Sequence, residues 1–305
     1  MNPLSILLLV VTSTLRMAVS YILASTGGAF SVRAGVSDLG IEGMMITGAF
    51  FGVLGTHLTQ NVWIGALFGI VFGVIISMLH AVMHITFKVN ATISSMCVNL
   101  LGLAITPVLI QVIWNVKGNS PIVPKFHNID APWLENVPVI GQILTAQNIL
   151  FYITFVLVLL AHILMYKTSF GLRLRMVGEN PQAASTVGLN TVAYKYFGVA
   201  MCGAFTGLGG VYLSLGQLNL FVDGMTAGRG YIAIVINAFG RFSPIGALLG
   251  SVFFGFFESL QVVLQGVALP SQIVMMLPYI LTLVVICFGL RGSHQPAGIG
   301  KHHDG

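Results

Sequence analysis

Long apolar runs follow one another along almost the whole 305-residue chain, separated by short polar stretches. A helix needs about 20 apolar residues to cross the hydrocarbon core of a membrane. The pattern predicts an all-α integral membrane protein with eight to nine transmembrane helices. The possible ninth segment is the short run 228–240, which would either cross at a tilt or be re-entrant. The eight long runs are 4–29, 40–58, 61–86, 91–114, 146–166, 193–217, 244–266 and 270–290.

Composition supports the same class. Hydrophobic residues make up 56% of the chain and charged residues only 7%, with a mean hydropathy of +0.94. A soluble domain carries about 25% charged residues, so a water-facing surface is excluded for most of the chain. The basic residues lie between apolar spans, which makes them markers of membrane orientation and not of nucleic-acid binding.

Two polar stretches and the charge bias predict the topology. Lys and Arg accumulate in cytoplasmic loops. If nine segments cross and the second polar stretch is cytoplasmic, most basic residues lie inside and only Lys117 and Lys125 lie in outer loops. The N-terminus would then be outside and the C-terminus inside. We predict one transmembrane domain (1–305), an external loop (115–145), a cytoplasmic segment (167–192) and a cytoplasmic tail (291–305).

No motif of catalytic chemistry occurs in the chain. It lacks G-x-x-x-x-G-K-[ST], G-x-S-x-G and H-E-x-x-H, so we expect neither ATP hydrolysis nor hydrolase activity by the chain itself. His80 and His84 share a helix face but have no carboxylate or cysteine partner nearby. His294, His302 and His303 fall in a Gly-rich tail that we expect to be solvated. No metal site and no cofactor are predicted.

An internal similarity suggests a repeat. The ten residues from Ile64 and the ten from Ile245 are identical at seven positions, and each follows a Gly-rich segment that carries a charge. With nine spans the copies run in opposite directions. Inverted repeats with interrupted helices build the central sites of many transporters, although Gly/Ala/Leu-rich helices also match by chance. The predicted helix interruptions are Gly40, Glu42, Gly43, Gly228, Arg229 and Gly230.

Polar residues inside the spans form two stripes. Such residues are costly in lipid and usually face a bundle interior or a cavity. The mostly uncharged stripes favour a polar, uncharged solute, and the alternative is hydrogen bonding between helices without a solute. Glu258 needs a partner, which either Arg16 or Arg229 can supply. The candidate pathway residues are Ser95, Asn99, Asn237, Glu258, Gln261 and Gln265.

The segment 168–192 has the features of a short helix between two spans. Asn180 followed by Pro181 is typical of a helix start, and Gly188 is typical of a helix end. With its basic flanks, this segment suits docking of a peripheral partner. A plain surface loop is the alternative.

The residues from Gly171 to Gly188 resemble the coupling segment of ABC importer permeases of the branched-chain amino acid/ribose/nucleoside type. The segments 35–45, 225–232 and 276–283 resemble the nucleoside branch of that family. Gln182 departs from the older Glu-Ala-Ala signature of the coupling motif. The resemblance implies that the coupling residues are Gly171, Arg173, Arg175, Glu179, Ala183, Ala184 and Gly188.

The resemblance implies a permease subunit of an ATP-driven importer, for nucleosides, in the bacterial inner membrane. Its expected partners are a second homologous permease, ATP-hydrolysing subunits and a substrate-binding lipoprotein or periplasmic protein, with no nucleic acid. A simple sugar or a branched-chain amino acid stays open as the solute. A proton-coupled secondary transporter is the competing class and would use Glu258 for coupling.

Overall fold

A computed structural model of the chain describes residues 3–128, 145, 147–265, 276–284, 287 and 295–300. Within these residues it contains helices and loops, with two isolated β-bridges. The helices are α1 (Pro3–Arg33), α2 (Ile41–Thr59), α3 (Val62–Ala81, extended by a π-helical stretch Val82–Thr86), α4 (Ala91–Trp114), α5 (Ile149–Tyr166), α6 (Ser169–Glu179), α7 (Pro181–Thr186), α8 (Thr191–Val211, extended by a π-helical stretch Tyr212–Gln217), α9 (Arg229–Phe239), α10 (Pro244–Leu264) and α11 (Leu277–Val284).

Seven helices within the described residues are long and apolar enough to cross a membrane. They are α1 to α5, α8 and α10, and seven of the eight long runs seen in the sequence coincide with them to within a few residues. Most of the eighth run, 270–290, lies outside the described residues. Its described part contains α11. The short run 228–240 is α9, which has 11 residues and a length of about 16 Å. It is therefore too short to cross a core of about 30 Å alone.

Side-chain caps define where several helices begin. Asn61 accepts from the Trp63 amide at the start of α3, and Asn90 accepts from the Thr92 amide at the start of α4. Ser243 does the same for Gly246 at the start of α10, where proline occupies the first turn. These residues satisfy amides that the helix itself leaves without a partner.

Glycines let three helices approach closely in the centre of the bundle. A Cβ atom added to Gly48 of α2 would lie 2.5 Å from the backbone of Gly207 in α8, and one added to Gly69 of α3 would lie 2.7 Å from the Gly48 carbonyl oxygen. Small residues at such positions allow backbones to contact each other within a membrane. The three helices α2, α3 and α8 form the tightly packed centre of the molecule.

Contacts along neighbouring helices give their directions. Gly27 of α1 packs against Phe205 of α8 while Phe30 packs against Gly198, so these two helices are antiparallel. α3 is also antiparallel to α8 and hence parallel to α1. Ser25 bonds to Ser251 at 3.2 Å and Ser259 donates to the Val10 carbonyl, which makes α10 antiparallel to α1 and opposite in direction to α3.

One end of the bundle gathers the basic residues, and we call it the basic end. α1 finishes there, and so does α3, where Thr86 bonds to Tyr196 at the start of α8. The segment containing α6 and α7 lies at the same end. At the opposite end, residues 119–126 run beside residues 215–222, with the Ser120 amide donating to the Phe221 carbonyl.

The C-terminal tail differs from the prediction of a solvated segment. Residues 295–300 pack against the protein, and Pro296 and Gly298 are buried. Main-chain hydrogen bonds to other parts of the chain explain the difference, because an ordered backbone can replace water as the partner. The three tail histidines lie outside the described residues.

Candidate functional site

The first feature of the site is the start of α2 inside the bundle. The chain turns back after α1, and the Asp38 side chain accepts from the Gly40 amide at 2.8 Å. Asn99 of α4 accepts from the Gly43 amide and donates to the Leu39 carbonyl, both at 2.8 Å. Asn99 lies eight residues into α4, about 12 Å from its start, so the interruption is within the membrane-spanning bundle.

Ser95 completes this arrangement. Its hydroxyl oxygen accepts from the Leu39 amide at 3.1 Å. Both α4 side chains proposed from the sequence to line a pathway thus bond to the interrupted backbone before α2. In lipid, backbone groups that are not bonded within a helix need such partners. The stripe on α4 therefore forms hydrogen bonds within the protein, which the sequence analysis gave as the alternative to a solute pathway.

The second feature is the start of α9, which is capped from another helix. Gly228 has a φ of 81° and supplies no side-chain cap. The Glu42 carboxylate instead accepts from the Thr226 hydroxyl (2.6 Å), the Gly228 amide (2.9 Å) and the Gly230 amide (2.7 Å). A Cβ atom on Gly230 would lie 2.5 Å from the Glu42 nitrogen, so only glycine permits this approach.

The predicted helix interruptions therefore lie together. Glu42 is in the first turn of α2, and its carboxylate faces the first turn of α9. A carboxylate is favoured at both positions, because each helix start carries a partial positive charge of about half a unit. The Glu42 carboxylate thus lies at the start of α2 and accepts hydrogen bonds from the start of α9.

The third feature is an ion pair beside the start of α9. Arg229 contacts Glu258 of α10 through a 2.5 Å hydrogen bond and donates to the Met225 carbonyl at 3.0 Å. Both side chains are largely buried. Sequence reasoning left Arg16 and Arg229 as alternatives; the structure selects Arg229, while Arg16 is exposed on α1.

The remaining pathway candidates are not gathered at one point. Asn237 of α9 is buried, and its side-chain oxygen has no hydrogen-bond partner within the described residues. The same holds for the second carboxylate oxygen of Glu258. Gln261 is half-buried further along α10, and Gln265, the residue that follows α10, is exposed. The acceptor on Glu258 is therefore at the ion pair, whereas the one on Asn237 lies eight residues beyond Arg229, about 12 Å further along α9.

The segment for which the sequence predicts a coupling role consists of α6 and α7 at the basic end. Thr168 accepts from the Gly171 amide at 3.1 Å to start α6, and Asn180 accepts from the Ala183 amide at 3.0 Å to start α7. The chain leaves α7 through Gly188, whose φ is 79°. The helix start and end predicted from the sequence are confirmed.

The other residues of the α6–α7 segment fix it to the bundle or face outward. Gly171 packs on the backbone of α5, and Ala184 is fully buried. Arg175 lies over the Tyr166 ring, 4.7 Å from its centroid. Arg173 is exposed. Glu179 pairs with Arg33 at the end of α1, at 3.8 Å.

Sequence reasoning missed two participants. Asp38 orders the turn before α2, and Thr226 provides one of the three donors to Glu42. An Asp two residues before a glycine is a signal for such a turn, and it could have identified Asp38. Nothing in the local sequence marks Thr226, because its partner is 184 residues away.

The histidines on one helix face also have protein partners. His80 contacts the Ser94 hydroxyl at 3.0 Å, and His84 contacts the Val89 carbonyl at 2.9 Å. In the described part of the chain no three His, Cys, Asp or Glu side chains come together in a way that could hold a metal ion.

Helices that begin inside the bundle, a buried polar cluster and a short exposed helix at one end define a membrane transport protein. Residues 10–286 match the family described as the branched-chain amino acid transport system permease component. The chain belongs to this family. It is a multi-pass inner-membrane permease subunit of an ABC transporter, whose ATP hydrolysis takes place on a separate subunit.

Two curated relatives are similar over almost the full length, and a third over most of it. The chain is 36% identical to the nucleoside ABC transporter permease protein NupC of Lactococcus lactis, covering 99% of each chain. It is 37% identical to the guanosine ABC transporter permease protein NupQ of Bacillus subtilis, covering 98% of each. It is 25% identical to NupP of Bacillus subtilis, also a guanosine ABC transporter permease protein, over 80% of this chain and 71% of NupP.

The cap on α9 leads to a testable order of variants. Glu42→Gln keeps the shape but turns one acceptor into a donor that faces a buried amide or hydroxyl, which costs about 1–3 kcal/mol. Thr226→Val removes one hydrogen bond and should cost less, while Thr226→Ser keeps the hydroxyl and serves as the control. Thermal unfolding in detergent should rank wild type and Thr226→Ser first, Thr226→Val next and Glu42→Gln last. Wild-type stability of Glu42→Gln would contradict the cap.

Proposed function

We propose that the chain is a permease subunit of an ATP-driven nucleoside importer. The observation that carries this proposal is similarity along almost the whole chain to two permeases whose names specify a nucleoside or guanosine. The partners proposed are ATP-hydrolysing subunits, a substrate-binding lipoprotein or periplasmic protein, and a second, homologous permease. The similarity to both NupQ and NupP, two permeases of one organism, supports pairing with a second permease.

We propose that the basic end is cytoplasmic, with the N-terminus outside. Seven Lys and Arg residues lie at or beside that end, whereas Lys117 and Lys125 lie towards the opposite end. Positive residues favour the cytoplasmic side of a membrane. The seven are Arg33, Lys88, Lys167, Arg173, Arg175, Lys195 and Arg241.

An inverted repeat is part of the proposal. Each copy would consist of an interruption within the bundle, a helix, and a second helix with the similar ten-residue stretch. The first copy would contain α2 and α3, and the second would contain α9 and α10. The opposite directions of α3 and α10 support this, as does the contact between the two helix starts. Such repeats allow a central site to open to either side.

We propose that the solute passes close to the start of α9. One carboxylate oxygen of Glu258 has no partner within the described residues, which supports this, since a nucleoside offers hydroxyl and amine donors to such an acceptor. Asn237 offers a second acceptor of this kind about 12 Å further along α9. Gln261 and Gln265 would extend the path along α10. Ser95 and Asn99 would border it while holding the backbone of the first interruption.

The coupling segment would receive the ATP-hydrolysing subunit. Its surface residues support this, because α7 and the residues after it expose Gln182, Thr186 and Val187, the last of which is 64% exposed. An apolar side chain exposed outside the membrane-spanning part is suited to burial by a partner. Movement at this surface would be transmitted through α6 to α1.

Labelling of introduced cysteines tests the orientation. In a variant without the three native cysteines, Ile122→Cys should react with an impermeant thiol reagent on intact cells. Gln182→Cys should react only after permeabilisation. Both native side chains are exposed, so reactivity reports the side of the membrane. Labelling of Gln182→Cys in intact cells would reject the orientation.

Uptake by cells that express the complete transporter tests the solute and the energy source. Radiolabelled guanosine should accumulate, and other nucleosides should compete, whereas ribose and leucine should not. Accumulation should persist when a protonophore is added and ATP is maintained, and it should cease when ATP is depleted. Cells lacking only this chain are the control. Loss of uptake with the protonophore alone would favour the proton-coupled alternative.

Gly188 allows coupling to be tested without a steric clash. No atom lies within 4 Å of a Cβ atom at this position, so a substitution acts through its φ of 79° alone. Val disfavours that conformation by about 1–2 kcal/mol, whereas Asn tolerates it. Gly188→Val should lower the solute transported per ATP hydrolysed while the complex still assembles, and Gly188→Asn should stay near wild type. Equal coupling in both variants would refute the docking role.

A further inference from the structure

The C-terminal residues 295–300 lie directly on the coupling segment. The Gly298 amide donates to the Gly178 carbonyl at 3.0 Å, and the Ala297 amide donates to the Glu179 carboxylate at 3.2 Å. These two hydrogen bonds join the tail to the last turn of α6. Because α7 begins at Pro181, the contact is directly beside the helix proposed to receive the ATPase.

The same tail also reaches the turn between α1 and α2. The Gly300 amide donates to the Gly35 carbonyl at 3.2 Å. Ile299 and Gly300 also line a cavity of about 490 Å³, together with His84 and Lys88 near the end of α3. The six tail residues thus bond to the end of α6 and to the turn between α1 and α2, and they border a cavity near the end of α3.

Glycines make this crossing possible. A Cβ atom on Gly298 would lie 2.6 Å from the Gly178 oxygen and 2.7 Å from the Pro181 ring, and one on Gly178 would lie 2.2 Å from the Arg33 oxygen. The backbones of the tail, α6 and the end of α1 are therefore stacked without room for any side chain between them. Any other residue at Gly178 or Gly298 would displace one of the three segments.

Arg33 extends the connection to the start of α10. Its guanidinium donates to the Phe242 carbonyl at 2.9 Å and to the Arg241 carbonyl at 2.8 Å, while it also pairs with Glu179. The last residue of α1 therefore links the coupling segment to the loop between α9 and α10. Glu179 lies between this residue and the tail, and bonds to both.

We infer that residues 295–300 are a positioning element for coupling, with Gly298 as the residue on which it depends. This inference rests on the proposed function of α6 and α7 as the ATPase docking segment. The tail presses the last turn of α6 onto the end of α1, so that a displacement of α7 is passed to α1 and to the α9–α10 loop. Without the tail, α6 could lift from α1 and the displacement would be absorbed locally.

The experiment measures nucleoside transported per ATP hydrolysed by the whole complex in proteoliposomes. Gly298→Val introduces a side chain into the crossing, and a chain ending at residue 294 removes the tail without introducing a clash. Ala297→Val is the matched control, since the side chain of Ala297 is exposed and only its amide is used. Assembly is followed by co-purification with the ATPase.

Gly298→Val and the shortened chain should both assemble and hydrolyse ATP, but transport about fivefold less solute per ATP, which corresponds to the lower limit of coupling between two distant sites. Ala297→Val should match wild type. Wild-type coupling in the shortened chain, increased transport by it, or its failure to assemble would each overturn the inference. Gly188→Val measured in parallel separates the two proposals, because an uncoupled Gly188→Val with a normally coupled shortened chain rejects only the role of the tail.

Discussion

The capping of α9 by Glu42 is the interaction on which the arrangement of the bundle depends. A helix that begins inside a membrane presents amides that neither water nor its own backbone can satisfy. Glu42 supplies two acceptor oxygens to three donors and is itself in the first turn of α2. The two interrupted helices are therefore held at a fixed distance from one another, and the ion pair, the stripe on α4 and the glycine contacts are arranged around that junction.

The ion pair of Arg229 and Glu258 belongs to the same junction. Taking a carboxylate and a guanidinium out of water is costly, and their attraction offsets the cost only with good geometry. Each partner thus explains the presence of the other, and α9 is tied to α10 as well as to α2. Such a pair fixes the position of α9 relative to α10 more than it adds stability. This matters for α9, because it is a helix of only 11 residues.

Seven of the spans and the start and end of α7 could be predicted from the sequence, because each depends on local periodicity or on adjacent residues. Asn180 and Pro181 together specify a helix start without reference to the rest of the fold. Partners distant in sequence could not be predicted. Asn99 has the same polarity whether it bonds to a solute or to the Leu39 backbone, and only the position of α2 decides. The packed tail was missed for the same reason, since its hydrogen bonds come from main-chain atoms that carry no residue-specific signal.

The charges at the junction do not cancel. Asp38, Glu42 and Glu258 supply three carboxylates, while Arg229 supplies one guanidinium and the starts of α2 and α9 each contribute about +0.5. With all three carboxylates ionised, about one negative charge remains, and moving one elementary charge through a membrane potential of 100 mV involves work of about 2.3 kcal/mol. A junction that stays in place while the helices around it move avoids this electrical work, and the energy of ATP hydrolysis is left for the solute.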